Sequence, residues 1–294
     1  MRAAIFRNGN IVADSIPDPV PAAGQVLVKT LACGICGSDL HIRKHAGRMA
    51  DIVKHFPSRK PMDLARDVVL GHEFCCEVID YGPSTQKRFK PGTRVCSIPV
   101  LLNANGLQGI GLSNDVAGGY AERMVLSEPL LIEVPNGLKP EHAALTEPLA
   151  VGIHAVAKAN IRGDEVPLVI GCGPVGLAVI AALRIKGLRP IVASDYSPAR
   201  RALALKMGAD FVVDPADSQP FTTWAQHAEM TPEQKAARSP FQAFQPALKP
   251  GLIFECVGVP GVLQQVFEGA PRDARVVVVG VCMENDRSEP LLGI

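Results

Sequence analysis

Two groups of residues in this chain could do chemistry. The first offers a thiol, an imidazole and carboxylates: Cys36 in Gly34-Ile35-Cys36-Gly37-Ser38-Asp39-Leu40-His41, His72 and Glu73 in Gly71-His72-Glu73, and Glu147 in Glu147-Pro148-Leu149. Singly these are ordinary, since a lone cysteine or histidine is more often a packed residue than a ligand. Together they supply the sulfur, nitrogen and oxygen donors that zinc takes. The second group is Gly171-Cys172-Gly173-Pro174-Val175-Gly176, a G-x-G-x-x-G. The string alone could be a chance cluster of turn glycines. Here it follows an apolar run and opens a helical pattern, with Pro174 suited to a first helical turn.

In that context each glycine has a task. Gly171 would make the tight turn, Gly173 would let backbone approach a pyrophosphate, and Gly176 would let helix and strand pack closely. The backbone N–H groups where the helix opens, at Val175 and beyond since Pro174 itself carries none, attract phosphate together with the helix dipole. An acid should follow roughly 20 residues on to hold the adenosine ribose, and Asp195 ends the next strand-like run. A carboxylate there repels a 2′-phosphate, so NAD is expected rather than NADP. Arg200 and Arg201 lie nearby and pull the other way; Arg200 is counted among the cofactor-binding residues.

Cys33-Gly34-Ile35-Cys36 is also a C-x-x-C, which can mark a redox pair or half of a zinc ribbon. No second C-x-x-C completes a ribbon. A redox pair needs a fold context that the strand-rich surroundings do not suggest. Cys33 is read as buried, and the adjacent Cys75 and Cys76 are given no role.

The elements that must position these residues fall into two patterns. The first half reads as short strands (26–32, 68–70, 74–79 and 95–102) punctuated by Pro and Gly. Residues 140–160 are rich in Ala and Leu at helical spacing and bridge to the second half. There the pattern alternates: apolar run 166–170, helix 177–186, strand 190–194, helix 198–207, then strands at 211–213, 252–255 and 276–279. Short, fully apolar runs alternating with helices mean βαβ units and a parallel sheet. The division expected is 1–155, β-rich and catalytic, and 156–294, doubly wound and cofactor-binding. Residues 215–250 carry six prolines and fit neither pattern; a short helix near 232–237 within a surface insertion is expected.

A length of 294 residues suits two domains. The net charge of +1 gives no electrostatic reason to bind nucleic acid or an anionic membrane. No apolar stretch reaches the ~18 residues of a membrane helix, and the N-terminus has no signal layout. Eight cysteines sit mostly in apolar runs, which suggests reduced thiols and a cytoplasmic protein.

The ordered set GICGSDLH (34–41), GHE (71–73), PGTRV (91–95), GGYAE (118–122), EPLAVGIHA (147–155), GCGPVG (171–176) and FECVG (254–258) resembles the zinc-type medium-chain dehydrogenases. Within them it is similar to the sorbitol, butanediol and threonine dehydrogenase branch. The resemblance spans nearly the whole chain. It implies a GroES-like catalytic domain followed by a Rossmann domain, and one catalytic zinc on Cys36 and His72. Glu147 would be the third ligand or act through water, and Glu73 an alternate ligand. Asp39 would orient His72, as ligating histidines usually require; Ser38 would begin a proton relay that His41 ends at solvent. Zinc there would act as a Lewis acid on an alcohol, with hydride passing to the nicotinamide.

The chain also departs from that family. Residues 97–118 hold none of the four cysteines of a structural zinc, so none is expected, and packing through 98–102 and 110–112 must hold this lobe. The segment 42–70 looks longer than usual and is basic at Arg43, Lys44, Arg59 and Lys60. It is read as a solvated loop, with a lid as the alternative. The resemblance implies a further C-terminal tail that returns to cover part of the catalytic domain, so either a shortened chain or a partner that supplies the cover is expected. The leading function is NAD-linked oxidation of a secondary alcohol or polyol by a homodimer or homotetramer. The alternatives are a zinc-free quinone or enoyl reductase on the same fold, and a truncated relative that binds dinucleotide with little catalysis.

Overall fold

The computed structural model describes residues 1–55, 62–103, 106–240 and 242–287. It divides into two compact units, Met1–Glu147 and Pro148–Ile294. The junction expected at residue 155 lies a few residues further along the same helix.

In the first unit, β1 (Arg2–Arg7) and β2 (Asn10–Ser15) form a hairpin around the two-residue turn Asn8-Gly9, a pairing favoured because such turns match strand twist. Strand β3 (Gln25–Cys33) leads into helix α1 (Gly37–Lys54). Next come β4 (Val68–Val69), β5 (Phe74–Tyr81), β6 (Arg94–Ser97), β7 (Val100–Asn103), β8 (Gly106–Gly109), β9 (Arg123–Ser127) and β10 (Leu131–Glu133). Helix α2 (Pro140–Ala143) follows, and α3 (Thr146–Lys158) begins at the end of this unit and runs on in the second. The main sheet is antiparallel, in the order β10-β6-β5-β3-β9, and β2-β1-β4 forms a smaller one. Val26, Val28, Phe74, Cys76, Val78, Val95 and Met124 from the main sheet make the core.

Three expectations change here. The apolar run 95–102 is two strands in different sheets, β6 and β7, because Pro99 between them has no N–H for a ladder. The helical stretch 140–160 is two helices separated at Ala144 and Leu145. The segment after His41 is not loop as far as Lys54: it is the body of α1, kinked at His45, and Arg59 and Lys60 fall outside the described residues. In the lobe after Cys96, Leu101, Ile110 and Val116 join the core, whereas Ile98 and Leu112 stay exposed. Packing holds this lobe, but through fewer residues than the sequence suggests.

The second unit contains β11 (Val166–Ile170), α4 (Pro174–Ile185), β12 (Val192–Ser194), α5 (Pro198–Met207), β13 (Phe211–Val213), α6 (Pro220–His227), α7 (Pro232–Ala236), β14 (Gly251–Glu255), α8 (Val262–Gly269) and β15 (Arg275–Val278). Its five strands are all parallel, in the order β13-β12-β11-β14-β15. In chain order that is 3-2-1-4-5, the doubly wound arrangement whose ligand crevice lies beyond the carboxyl ends of the first and fourth strands. Val166, Leu168 and Val169 on β11 and Leu252, Ile253 and Phe254 on β14 are fully buried, as parallel strands covered on both faces must be. The proline-rich insertion holds α7 where expected. It also holds α6, whose Trp224 is buried and donates from Nε1 to the Val166 carbonyl at 2.9 Å.

Candidate metal and cofactor sites

Cys36 is the N-cap of α1, so the end of β3 and the first turn of that helix fix its thiol. Gly71, with φ +93°, turns the chain sharply ahead of His72 and Glu73. The two segments are stitched together where the Gly34 N–H donates to the Glu73 carbonyl at 2.7 Å. As a result the ligand atoms of Cys36, His72 and Glu73 all lie within 4.8 Å of one another. Sulfur, imidazole nitrogen and carboxylate oxygen at that spacing fit a zinc ion. Among the described residues this is the group of three or more such side chains that could hold a metal.

The surrounding groups orient the set. Asp39 is 1% exposed, and its Oδ2 accepts from the Cys36 N–H at 3.0 Å and the Tyr120 hydroxyl at 2.9 Å. Its Oδ1 lies 3.5 Å from Nδ1 of His72. With Nδ1 facing Asp39, the His72 ring presents Nε2 on its other side, where the Ser38 hydroxyl sits 3.4 Å away. His41 lies one turn beyond Ser38 on α1, edge-on to His45 at 6.1 Å between centroids. Glu147 is half-buried at the start of α3 and outside the tight group, yet near enough that His72, Glu73 and Asp39 all act on its carboxyl.

The electrostatics fit a cation site. Burial opposes a charge on His72, but Asp39 and Cys36 hold a proton there and push its pKa up to about 10. A ligating histidine is neutral, so metal and proton compete for this ring. Burial raises the carboxyls of Glu73 and Glu147, against the pull of His72. Burial also pushes the Cys33 thiol up to about 12. Such a thiol is a poor nucleophile at neutral pH, which removes support from a Cys33–Cys36 redox pair.

The second constellation lies between β11 and α4. Gly171 has φ +91° and makes the turn. A side chain on Gly176 would run into the Gly171 carbonyl, whereas a methyl on Gly173 would meet nothing within 4 Å. The loop is therefore closed at its third glycine and open at its second, where Pro174 and Val175 begin the helix. Asp195 follows β12 and is 9% exposed. It accepts from the Cys172 N–H and the Ser197 N–H, both at 2.8 Å, so it also braces the glycine loop. Arg200 Nη1 is 3.7 Å from Asp195 Oδ2, and Arg201 is paired instead with Asp214 at 2.8 Å. Tyr120, within GGYAE, is a site residue that no ligand spacing marks in the sequence, because only folding brings it to Asp39.

Residues 22–136 match the family model of the alcohol dehydrogenase GroES-like domain, and residues 174–292 that of zinc-binding dehydrogenase. The chain is 33% identical to (R,R)-butanediol dehydrogenase of Bacillus subtilis, over 96% of this chain and 78% of the relative. It is 28% identical to sorbitol dehydrogenase of the same organism, over 97% and 76%. A solved structure assigned as a zinc-binding dehydrogenase from Sinorhizobium meliloti, bound to NADP, superposes with a TM-score of 0.74 at 28% identity, covering 98% of this chain and 79% of that one. With its GroES-like half, its parallel-sheet half and these relatives, the chain belongs to the zinc-type medium-chain alcohol dehydrogenases, nicotinamide-dependent oxidoreductases of alcohols.

Proposed function

We propose that this chain reversibly oxidises a secondary alcohol or polyol to a ketone with NAD, at one catalytic zinc. The observation that carries the proposal is the convergence of Cys36, His72 and Glu73. Cys36 and His72 would hold the metal, with Glu73 or Glu147 as the carboxylate ligand. When bound, zinc supplies the Lewis acidity that makes an alcohol hydroxyl acidic near neutral pH. The protein's own groups do the rest. Asp39 holds the His72 ring in place. The Ser38 hydroxyl, beside Nε2 of His72, would accept the substrate proton while handing its own onward. His41, on the same face of α1, receives it; histidine is the side chain whose ordinary pKa suits that task.

We assign this chemistry to a catalytic domain of residues 1–155 and the dinucleotide to residues 156–294. Gly171, Gly173, Pro174, Val175 and Gly176 would seat the pyrophosphate and Asp195 the adenosine ribose. Asp195 favours NAD, and Arg200 moderates that preference. The butanediol and sorbitol dehydrogenases among its relatives support a diol or polyol substrate. We further assign the protein to the cytoplasm as a homodimer or homotetramer, without nucleic-acid or membrane partners. No helix among the described residues is long and apolar enough to cross a membrane.

Elemental analysis, with initial rates on butanediol and sorbitol using NAD or NADP, tests the proposal. The expected result is about one zinc per chain, as a single catalytic site requires, and faster turnover with NAD. Cys36→Ala and His72→Ala should lose both metal and turnover. An active, zinc-free His72→Ala protein would refute the site, and affinity for NADP equal to that for NAD would remove the cofactor assignment.

A further inference from the structure

We propose that Tyr120 is a positioning residue of the metal centre, acting through Asp39 on His72; this rests on the reading of Cys36, His72 and Glu73 as zinc ligands. A buried carboxylate must have its lone pairs occupied or it costs stability. Asp39 achieves this asymmetrically. Its Oδ2 takes two donors, the Cys36 N–H at 3.0 Å and the Tyr120 hydroxyl at 2.9 Å. Its Oδ1 has no partner other than Nδ1 of His72, 3.5 Å away, and that nitrogen is buried with no other partner of its own. With Oδ2 pinned from two directions, the carboxylate cannot rotate about its last torsion, and Oδ1 stays aimed at His72.

The Tyr120 ring is held as firmly as its hydroxyl. Its N–H donates to the Leu70 carbonyl at 3.0 Å, while the Gly119 N–H donates to the Gly71 carbonyl at 2.8 Å. The ring lies against Gly71, where any side chain would strike it. The turn that delivers His72 and the phenol that steadies Asp39 thus share one contact. The hydroxyl also lies 3.1 Å from the Gly34 carbonyl. A single proton serves one acceptor at a time, and the charged Asp39 is the stronger of the two.

Zinc affinity, measured by competition with a chromogenic chelator, tests this in wild type, Tyr120→Phe, Asp39→Asn and the double variant; cobalt substitution reports ligand geometry by its visible spectrum. Phenylalanine keeps the ring against Gly71 and removes only the donor. Tyr120→Phe should weaken zinc binding about tenfold, the scale of outer-shell losses, and shift the cobalt bands. In the Asp39→Asn background the same substitution should add little, because its effect runs through Asp39. Equal affinities and identical cobalt spectra for wild type and Tyr120→Phe would overturn the proposal, as would simple additivity in the double variant. A second measurement needs no variant. The Tyr120 hydroxyl proton of the wild-type protein should exchange slowly and resonate downfield; a rapidly exchanging proton would overturn the proposal. A wild-type protein that binds no zinc removes the metal reading and this proposal together, and that failure shows before any substitution is made.

Discussion

Gly34 has no side chain, and Glu73 occupies the space. A methyl group on Gly34 would overlap Oε2 of Glu73 and approach its Cβ to 3.2 Å. The backbone cannot yield, because Gly34 and Glu73 are joined by a 2.7 Å hydrogen bond. Gly34→Ala should therefore drive the Glu73 carboxylate out of the group with Cys36 and His72. If Glu73 holds the metal, zinc affinity falls at least about tenfold, with Cys36 and His72 still in place. Chelator competition measures it, and unchanged affinity would transfer the carboxylate role to Glu147. The residue types of the site were readable in the sequence because metal chemistry restricts them to Cys, His and carboxylates. What was not readable is which carboxylate the fold brings close. That depends on a missing Cβ at Gly34 and on the positive φ of Gly71, and neither shows in the spacing of the ligands. Tyr120 was hidden for the same reason, being 81 residues from Asp39 in the chain.

At the scale of elements, the strands under the glycine loop were legible because a parallel strand buried on both faces must be apolar throughout, as β11 and β14 are. Helix α1 was not, although Ile42, Ala46 and Met49 do pack together at helical spacing. Gly37, Gly47 and its many charged residues disguise it, and the kink at His45 breaks the repeat. Gly47 lies in the helix interior with open space where a Cβ would go. Gly47→Ala should thus stabilise the protein by about 0.5–1 kcal/mol, read as a higher urea midpoint; a lower midpoint would mean that the kink needs the glycine. Trp224, the single tryptophan of the chain, was the missed signal in the proline-rich insertion, since so large a ring in a polar stretch marks an anchor.

Between β12 and β13, Asp210 accepts from the Ile191 N–H at 2.8 Å and pairs with Arg189. Burial pushes its carboxyl up, but Arg189 and that N–H outweigh burial and hold it below the usual carboxylate range. Because the folded state binds its proton more weakly than the unfolded state does, Asp210 stabilises the fold fully above about pH 4, the unfolded carboxyl value. That stabilisation is lost as pH falls through the lowered value. Asp210→Asn should therefore lower stability near neutral pH and flatten the acid limb of the stability curve. Urea unfolding from pH 7 to pH 3 checks it; a variant whose acid limb parallels that of the wild type would show that the pair contributes nothing.

At the scale of the whole molecule, each of the two compact units has its own core and its own candidate ligand site. A ligand that binds only the folded state stabilises it by mass action, by about 2.7 kcal/mol at a hundredfold excess over its Kd. That stabilisation appears first where the ligand touches, because local opening is suppressed in the residues that must be ordered to bind it. Zinc added to metal-free protein should thus slow amide exchange at Cys36, Asp39, His72 and Glu73. NAD should slow it at Cys172, Gly173, Val175 and Asp195. Hydrogen exchange read by mass spectrometry, with each ligand alone and with both, separates the two patterns. If NAD protects only the first unit, the glycine loop is not the cofactor seat. If zinc leaves exchange at Cys36 and His72 unchanged, the convergence of those side chains is structural packing, and a zinc-free reductase on the same fold becomes the better reading.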